Sequence, residues 1–285
     1  MTADRFGDRV PVEDVRRYFD ALGVAEWERH DASLSTRVSL EVHRRFLARW
    51  VSAGSRVLEI GAGPGRFTVE LARLGARIVV TDISPIQLDL NARFVAEAGC
   101  EAAVERREEA DICDLSRYPV HGFDVVLAYG GPLSYAFDAA GDALRGMLRI
   151  VGADQPVVAS VMSTLGSYRH FLPAVVEVMD EFGDQASDRI LATGDLRETQ
   201  PPGQGHSCRM FRWSQLQELV RDAGAHIAAA SASNWASLGD PAALQQLASS
   251  PDRWGRFFDQ EAVMCAEPGA LDGGTHILFA AIADH

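Results

Sequence analysis

Between Arg56 and Asp82 the chain reads RVLEIGAGPGRFTVELARLGARIVVTD, and no other stretch constrains the fold as strongly. An apolar run ends in an acid and three closely spaced glycines. A helical pattern follows, and a second apolar run ends in Asp82. That order predicts strand, tight turn, helix and strand, the unit from which parallel sheets are wound. In an open parallel sheet, ligands bind beyond the carboxyl ends of the strands. Glu59 to Gly65 and Asp82 therefore stand where a ligand would sit.

The alternation continues. Candidate strands are Arg56–Ile60, Arg77–Thr81, Ala103–Arg106, Phe123–Ala128 and Pro156–Val161, with helices near Gly65–Leu74, Pro85–Ala98 and Ala140–Val151. Ser84 suits an N-cap, and Pro85 the first helical position. Ahead of the first strand, Val12, Val15, Tyr18, Phe19 and Leu22 recur at helical spacing, as do Leu40, His43, Phe46, Leu47 and Trp50. After Val161 one helix, His170–Phe182, precedes the Gly/Pro/Gln-rich loop TQPPGQGH. A helix at Ser214–Ala223, a strand at Ala225–Ser231, an excursion with two short helices and a strand at Thr275–Ala283 complete the pattern. The expected organisation is a helical cap over residues 1–50, a cofactor-binding core over 51–162, a lid over 163–205 and a return to the core over 206–285. A helical insertion occupies 232–273.

With 285 residues and 47% hydrophobic content, the chain can bury a large core. The net charge of −13 and the absence of a basic run argue against a nucleic-acid partner. Cys100, Cys113, Cys208 and Cys265 are far apart, with no C-x-x-C pair, so neither a metal site nor a disulfide framework is expected. The charged first 30 residues do not read as a signal peptide, and no apolar run reaches spanning length. A cytoplasmic protein that does not enter membranes is the expectation, as monomer or homodimer.

The turn Glu59-Ile60-Gly61-Ala62-Gly63-Pro64-Gly65 is acid-x-Gly-x-Gly-x-Gly. A dinucleotide fingerprint is Gly-x-Gly-x-x-Gly, so the third glycine falls one residue early. The acid before it suits a cationic ligand better than a pyrophosphate. Glu59 could also simply anchor the turn. Asp82, 17 residues after Gly65, can accept both hydroxyls of a ribose. Asp111 or Asp114, in ADICDL after the third strand, can accept from an exocyclic adenine amine. The ligand read from these residues has an amino-acid or cationic end, a ribose and an adenine.

EIGAGPG (59–65), TDIS (81–84), ADICDL (110–115) and FDVVLAYGGPLSY (123–135) together resemble a class I S-adenosylmethionine-dependent methyltransferase of the small-molecule type, over roughly residues 50–165 and the final strands. The resemblance implies a mostly parallel seven-stranded sheet, doubly wound and Rossmann-like, with an antiparallel last strand. It implies S-adenosyl-L-methionine as cofactor. Gly61, Gly63 and Gly65 would lie against its methionine part, Asp82 with Ile83 at the ribose, and Asp111 with Ile112 at the adenine. The backbone from Ala128 through Tyr129 to Gly130 would face the sulfonium. Tyr18 matches an N-terminal aromatic that some members fold over the cofactor.

No universal catalytic motif accompanies methyl transfer, because the demand on a base depends on the nucleophile. The Asn/Asp-Pro-Pro-aromatic signature of amino-group methylation on DNA, protein or planar amides is absent; the matching place reads Tyr129-Gly130-Gly131-Pro132-Leu133. Position nominates Tyr135, Asp138, Tyr168, His170, His206 and Trp235 for the substrate pocket. His206, in GHSCRMFRW, is the favoured base, with Tyr135 second. Three covering segments suit a small-molecule acceptor, methylated on nitrogen or oxygen, in a setting such as natural-product metabolism. The rival readings are a protein or RNA methyltransferase and a non-catalytic module that binds the cofactor. A nicotinamide oxidoreductase is disfavoured by the glycine spacing.

Overall fold

The computed structural model describes residues 12–152, 154–199 and 207–284. Three helices come first: α1 (Val12–Leu22), α2 (Ala25–Glu28) and α3 (Leu34–Leu47). The wound core follows as β1 (Arg56–Ile60), α4 (Arg66–Arg73), β2 (Arg77–Asp82), α5 (Pro85–Glu97), β3 (Val104–Glu109), β4 (Val125–Ala128), α6 (Pro132–Tyr135), α7 (Ala140–Ile150) and β5 (Val157–Met162). Then come α8 (Thr164–His170), α9 (Leu172–Phe182), α10 (Asp184–Thr193), α11 (Trp213–Asp222), β6 (Ala225–Ala232), α12 (Pro241–Ala248), α13 (Pro251–Cys265) and β7 (His276–Ala283).

Among the described residues seven strands form one sheet in the order β3-β2-β1-β4-β5-β7-β6. Strand β7 runs against both β5 and β6, and the other pairs are parallel. The fold class expected from the resemblance is the one found. The strand order reverses between β1 and β4, which opens a crevice beyond their carboxyl ends. Apolar residues fill both faces. Leu144, Met147, Leu216 and Val220 pack on one side with Leu58 and Val126. Phe46, Leu47, Phe67 and Leu71 pack on the other with Val57 and Leu127.

Local chemistry sets the ends of these elements. The Ser84 hydroxyl accepts from the Gln87 N–H at 3.0 Å, with Pro85 opening α5, as its sequence suggested. The buried Gln87 amide then donates to the carbonyls of Phe19 (2.8 Å) and Gly23 (3.2 Å), which ties α1 to α5. Arg66 lies over the Trp27 ring at 3.9 Å, and Trp27 stacks on Phe94 at 4.4 Å. The N-terminal helices are thereby fixed over the carboxyl side of the sheet. On α13, the fully buried Glu261 accepts from the N–H groups of Trp235, Ala236 and Ser237 and from the Ser237 hydroxyl, pinning the chain as it leaves β6.

Three readings need correction. Residues 163–199 hold three helices where one was expected, because Ser163, accepting from the Gly166 N–H (3.2 Å), caps an earlier start at Thr164 and Gly183 (φ +82°) separates α9 from α10. One of the two helices expected to be short, α13, runs 15 residues. Strand β3 extends through charged residues to Glu109, since an edge strand needs no apolar face where ion pairs such as Arg107–Glu101 (2.7 Å) cover it.

Candidate active site

The site begins with the turn after β1. Gly61 (φ +65°) and Gly63 (φ +52°) occupy left-handed backbone and line the crevice. Gly65 does not. A Cβ there would meet Asn91 and Val95 on α5 at 3.0 Å, so this glycine lets α4 and α5 approach. Glu59 also stands behind the turn. Its Oε2 accepts from the Thr68 hydroxyl at 2.7 Å, Asn91 Nδ2 donates to Thr68 Oγ1 at 2.8 Å, and Arg107 donates to Asn91 at 2.9 Å. Glu59 is thus bonded to a side chain of α4, a different contact from the backbone N–H bonds by which it could anchor the turn.

Asp82, at the end of β2, accepts from the Gly63 N–H at 2.8 Å and the Ser84 N–H at 2.9 Å, and lies on the crevice wall. The Ile83 N–H also bonds this carboxylate, which leaves it room to accept from a ligand hydroxyl at one further lone pair. Ile83, Asp111 and Ile112 continue the wall. Asp111 accepts from the Cys113 N–H at 2.9 Å, whereas Asp114 accepts from Ser116 and is turned away. Of those two acids, Asp111 faces the crevice. Across it stand Tyr129, Gly130, Pro132 and Tyr135; Ala128 is fully buried behind them. From the cap, Phe19 enters the crevice lining in place of Tyr18, together with Glu26, Arg29 and His30.

Burial pushes the Glu59 carboxyl up to about 8 and that of Asp82 up to about 6, against the hydrogen bonds that lower them. Each group therefore binds protons in the folded chain at pH values where the unfolded chain releases them. The stability this gives is full below the unfolded pKa and is lost as pH rises through the folded one. We expect Glu59→Gln to gain on the wild type as pH rises from 5 to 8, by on the order of 1 kcal/mol per pH unit. Urea denaturation across that range checks this; a constant difference between the two proteins would refute it.

A second chamber, of about 410 Å³, adjoins the crevice. The two share Phe19, Glu26, Arg29, His30, Phe67, Gly130 and Tyr135 in their walls. Tyr18 faces this chamber and meets Phe19 edge-on at 5.3 Å, and Phe19 meets Tyr135 in the same way. His170 and Cys208 also line it. Three other nominated residues do not. Asp138 is exposed and pairs with Arg197 (3.2 Å) and Arg209 (3.7 Å). Tyr168 is half-buried on α8 away from the wall, where Ser167 and Phe171 stand. Trp235 packs against Gly273 under the Arg169 guanidinium (5.1 Å), leaving Asn234 on the wall. His206 lies outside the described residues.

Sequence reasoning missed His30, His43, His276 and the Glu26–Arg29 pair (2.6 Å). For His43 a signal existed: it occupies an inward position in the helical spacing of α3. His30, between Arg29 and Asp31, offered none.

Residues 57–154 match the family described as a methyltransferase domain. Among solved structures, the magnesium protoporphyrin IX methyltransferase of Synechocystis PCC 6803, with bound S-adenosylhomocysteine, is similar at TM-score 0.57 and 14% identity, over 95% of this chain and 98% of that one. The 1,6-didemethyltoxoflavin-N1-methyltransferase of Burkholderia thailandensis, with 1,6-didemethyltoxoflavin and S-adenosylhomocysteine bound, is similar at 0.55 and 16%, over 100% and 94%. The CcbJ methyltransferase of Streptomyces caelestis is similar at 0.55 and 17%, over 86% and 90%. No curated protein matches. Identities this low speak for the fold alone. Residues 57–154 thus match the methyltransferase-domain family, and with the chain around them they share the fold of these solved methyltransferases.

Proposed function

We propose that this chain is an S-adenosylmethionine-dependent methyltransferase that methylates nitrogen or oxygen of a small-molecule acceptor. The observation that carries the reading is that the crevice and the second chamber meet at Phe19, His30, Gly130 and Tyr135. A donor placed in one faces an acceptor placed in the other.

The residues fit the cofactor. Gly61 and Gly63 give a wall without side chains for its amino-acid end, Asp82 stands ready for ribose hydroxyls, and Asp111 for an adenine amine. Ile83 and Ile112 offer apolar surface to a flat ring. A diphosphate fits worse. The Gly63 N–H that would cradle it is already donated to Asp82, and the neighbouring groups are acids. When bound, the cofactor supplies an electrophilic methyl, which an acceptor lone pair takes in line as the carbon–sulfur electron pair returns to sulfur.

The chain's contribution is alignment and exclusion of water, worth up to roughly 7–11 kcal/mol for well-oriented reactants. Burial holds the Tyr135 phenol well above its ordinary pKa, so it keeps its proton and can orient an acceptor without serving as base. The neighbour from Burkholderia thailandensis, which holds S-adenosylhomocysteine and 1,6-didemethyltoxoflavin together, supports a small-molecule acceptor. Release of S-adenosylhomocysteine on incubation with pooled small metabolites tests the proposal. Turnover with protein or RNA pools and none with small molecules would overturn it.

A further inference from the structure

The second chamber is distinctive in what its wall offers. His30 follows α2, His43 lies on α3 and His276 opens β7, and all three line it. The His43 and His276 rings are 6.2 Å apart between centroids. Among the described residues, no group of three or more His, Cys, Asp or Glu side chains is placed to hold a metal ion, so these imidazoles do not form a metal centre.

His43 Nδ1 lies 2.8 Å from the Ser39 carbonyl. A carbonyl only accepts, so Nδ1 carries the hydrogen and Nε2 is left as an acceptor. His30 meets Phe67 edge-on at 5.9 Å and makes no hydrogen bond among the described residues. Burial lowers His30 to about 2 and His43 to about 4, so both rings are uncharged at neutral pH.

Ser35, Thr36, Asn234 and Thr275 on this wall are uncharged. Glu26 and Arg29 are charged but bond to each other at 2.6 Å. The apolar part is aromatic and thioether-rich, with Phe19, Phe67, Phe171, Met162 and Met210. A carboxylate entering here would have to compete with Glu26 for Arg29, and an ammonium with Arg29 for Glu26. Burying an unpaired ion is costly.

We infer that the chamber takes an uncharged aromatic acceptor whose hydroxyl or ring N–H donates to an imidazole nitrogen of His43 or His30. This rests on reading the chamber as the acceptor site and adds the substrate class and two specificity residues. Three probes sharing one naphthalene ring test it: 2-naphthol, 2-naphthoate and 2-naphthylmethylammonium, titrated at neutral pH into the protein saturated with S-adenosylhomocysteine. Naphthol should bind at least about tenfold more tightly than either ion. His43→Phe should weaken naphthol by about tenfold, the loss of one hydrogen bond, and His43→Gln, which keeps an acceptor, should restore most of it. An ion that binds as tightly as naphthol, or an unchanged naphthol affinity in His43→Phe, overturns the inference. So does failure of all three probes on a protein that binds S-adenosylhomocysteine, an outcome that leaves the methyltransferase reading standing. Failure to bind S-adenosylhomocysteine strikes that reading itself.

Discussion

Replacing Gly61 with valine is expected to lower affinity for S-adenosylhomocysteine by roughly 100-fold or more, because two costs coincide there. The residue sits at φ +65°, a left-handed conformation that costs an ordinary side chain about 1–2 kcal/mol. A Cβ would also lie 2.7 Å from Pro132 Cγ, so Pro132 or the turn must move. Both are crevice walls, and relief of the clash distorts the space the ligand needs. Gly63→Ala is the control. That position is similarly left-handed at φ +52°, but its Cβ would meet nothing nearer than Glu26 Cγ at 3.8 Å, so a smaller loss is expected. Calorimetry checks both variants, with circular dichroism to show that the sheet persists. Undiminished affinity in Gly61→Val would remove the turn from the binding site.

Asp82→Ala carries the second large effect. The carboxylate holds the Gly63 and Ser84 N–H groups at 2.8 and 2.9 Å, and its removal orphans both while depriving ribose hydroxyls of their acceptor. Unmade hydrogen bonds at buried groups cost about 1–3 kcal/mol each, so affinity for S-adenosylhomocysteine should fall about 100-fold. Asp82→Asn, which keeps one acceptor oxygen, should lie between. A variant that bound normally and failed only in turnover would contradict the assignment.

The features legible in the sequence were those written in local spacing. Strand β1 and the start of β2 fall where apolar runs placed them, and Ser84 with Pro85 opens α5. Asp82, Ile83, Asp111 and Ile112 reach the crevice because strand ends fix them. Side-chain direction at a single position was not legible. Tyr18 and Phe19 are adjacent on one helix and so project about 100° apart, and only the docking of α1 on α5 decides that Phe19 enters the crevice. Glu59 turns to Thr68, nine residues away, once α4 folds back on the sheet. The chamber was least legible. Its wall joins α3, α8 and the ends of β6 and β7, segments far apart in the chain, and no motif announces their meeting.

A crystal structure of the protein grown with S-adenosylhomocysteine, and in parallel with NAD, tests the central claim most directly. The account predicts density for S-adenosylhomocysteine, its ribose at Asp82, its adenine at Asp111 and its sulfur directed toward Gly130 and Tyr135. A dinucleotide seated on the Gly61–Gly63 turn, or S-adenosylhomocysteine bound elsewhere while this crevice stays closed, would contradict it.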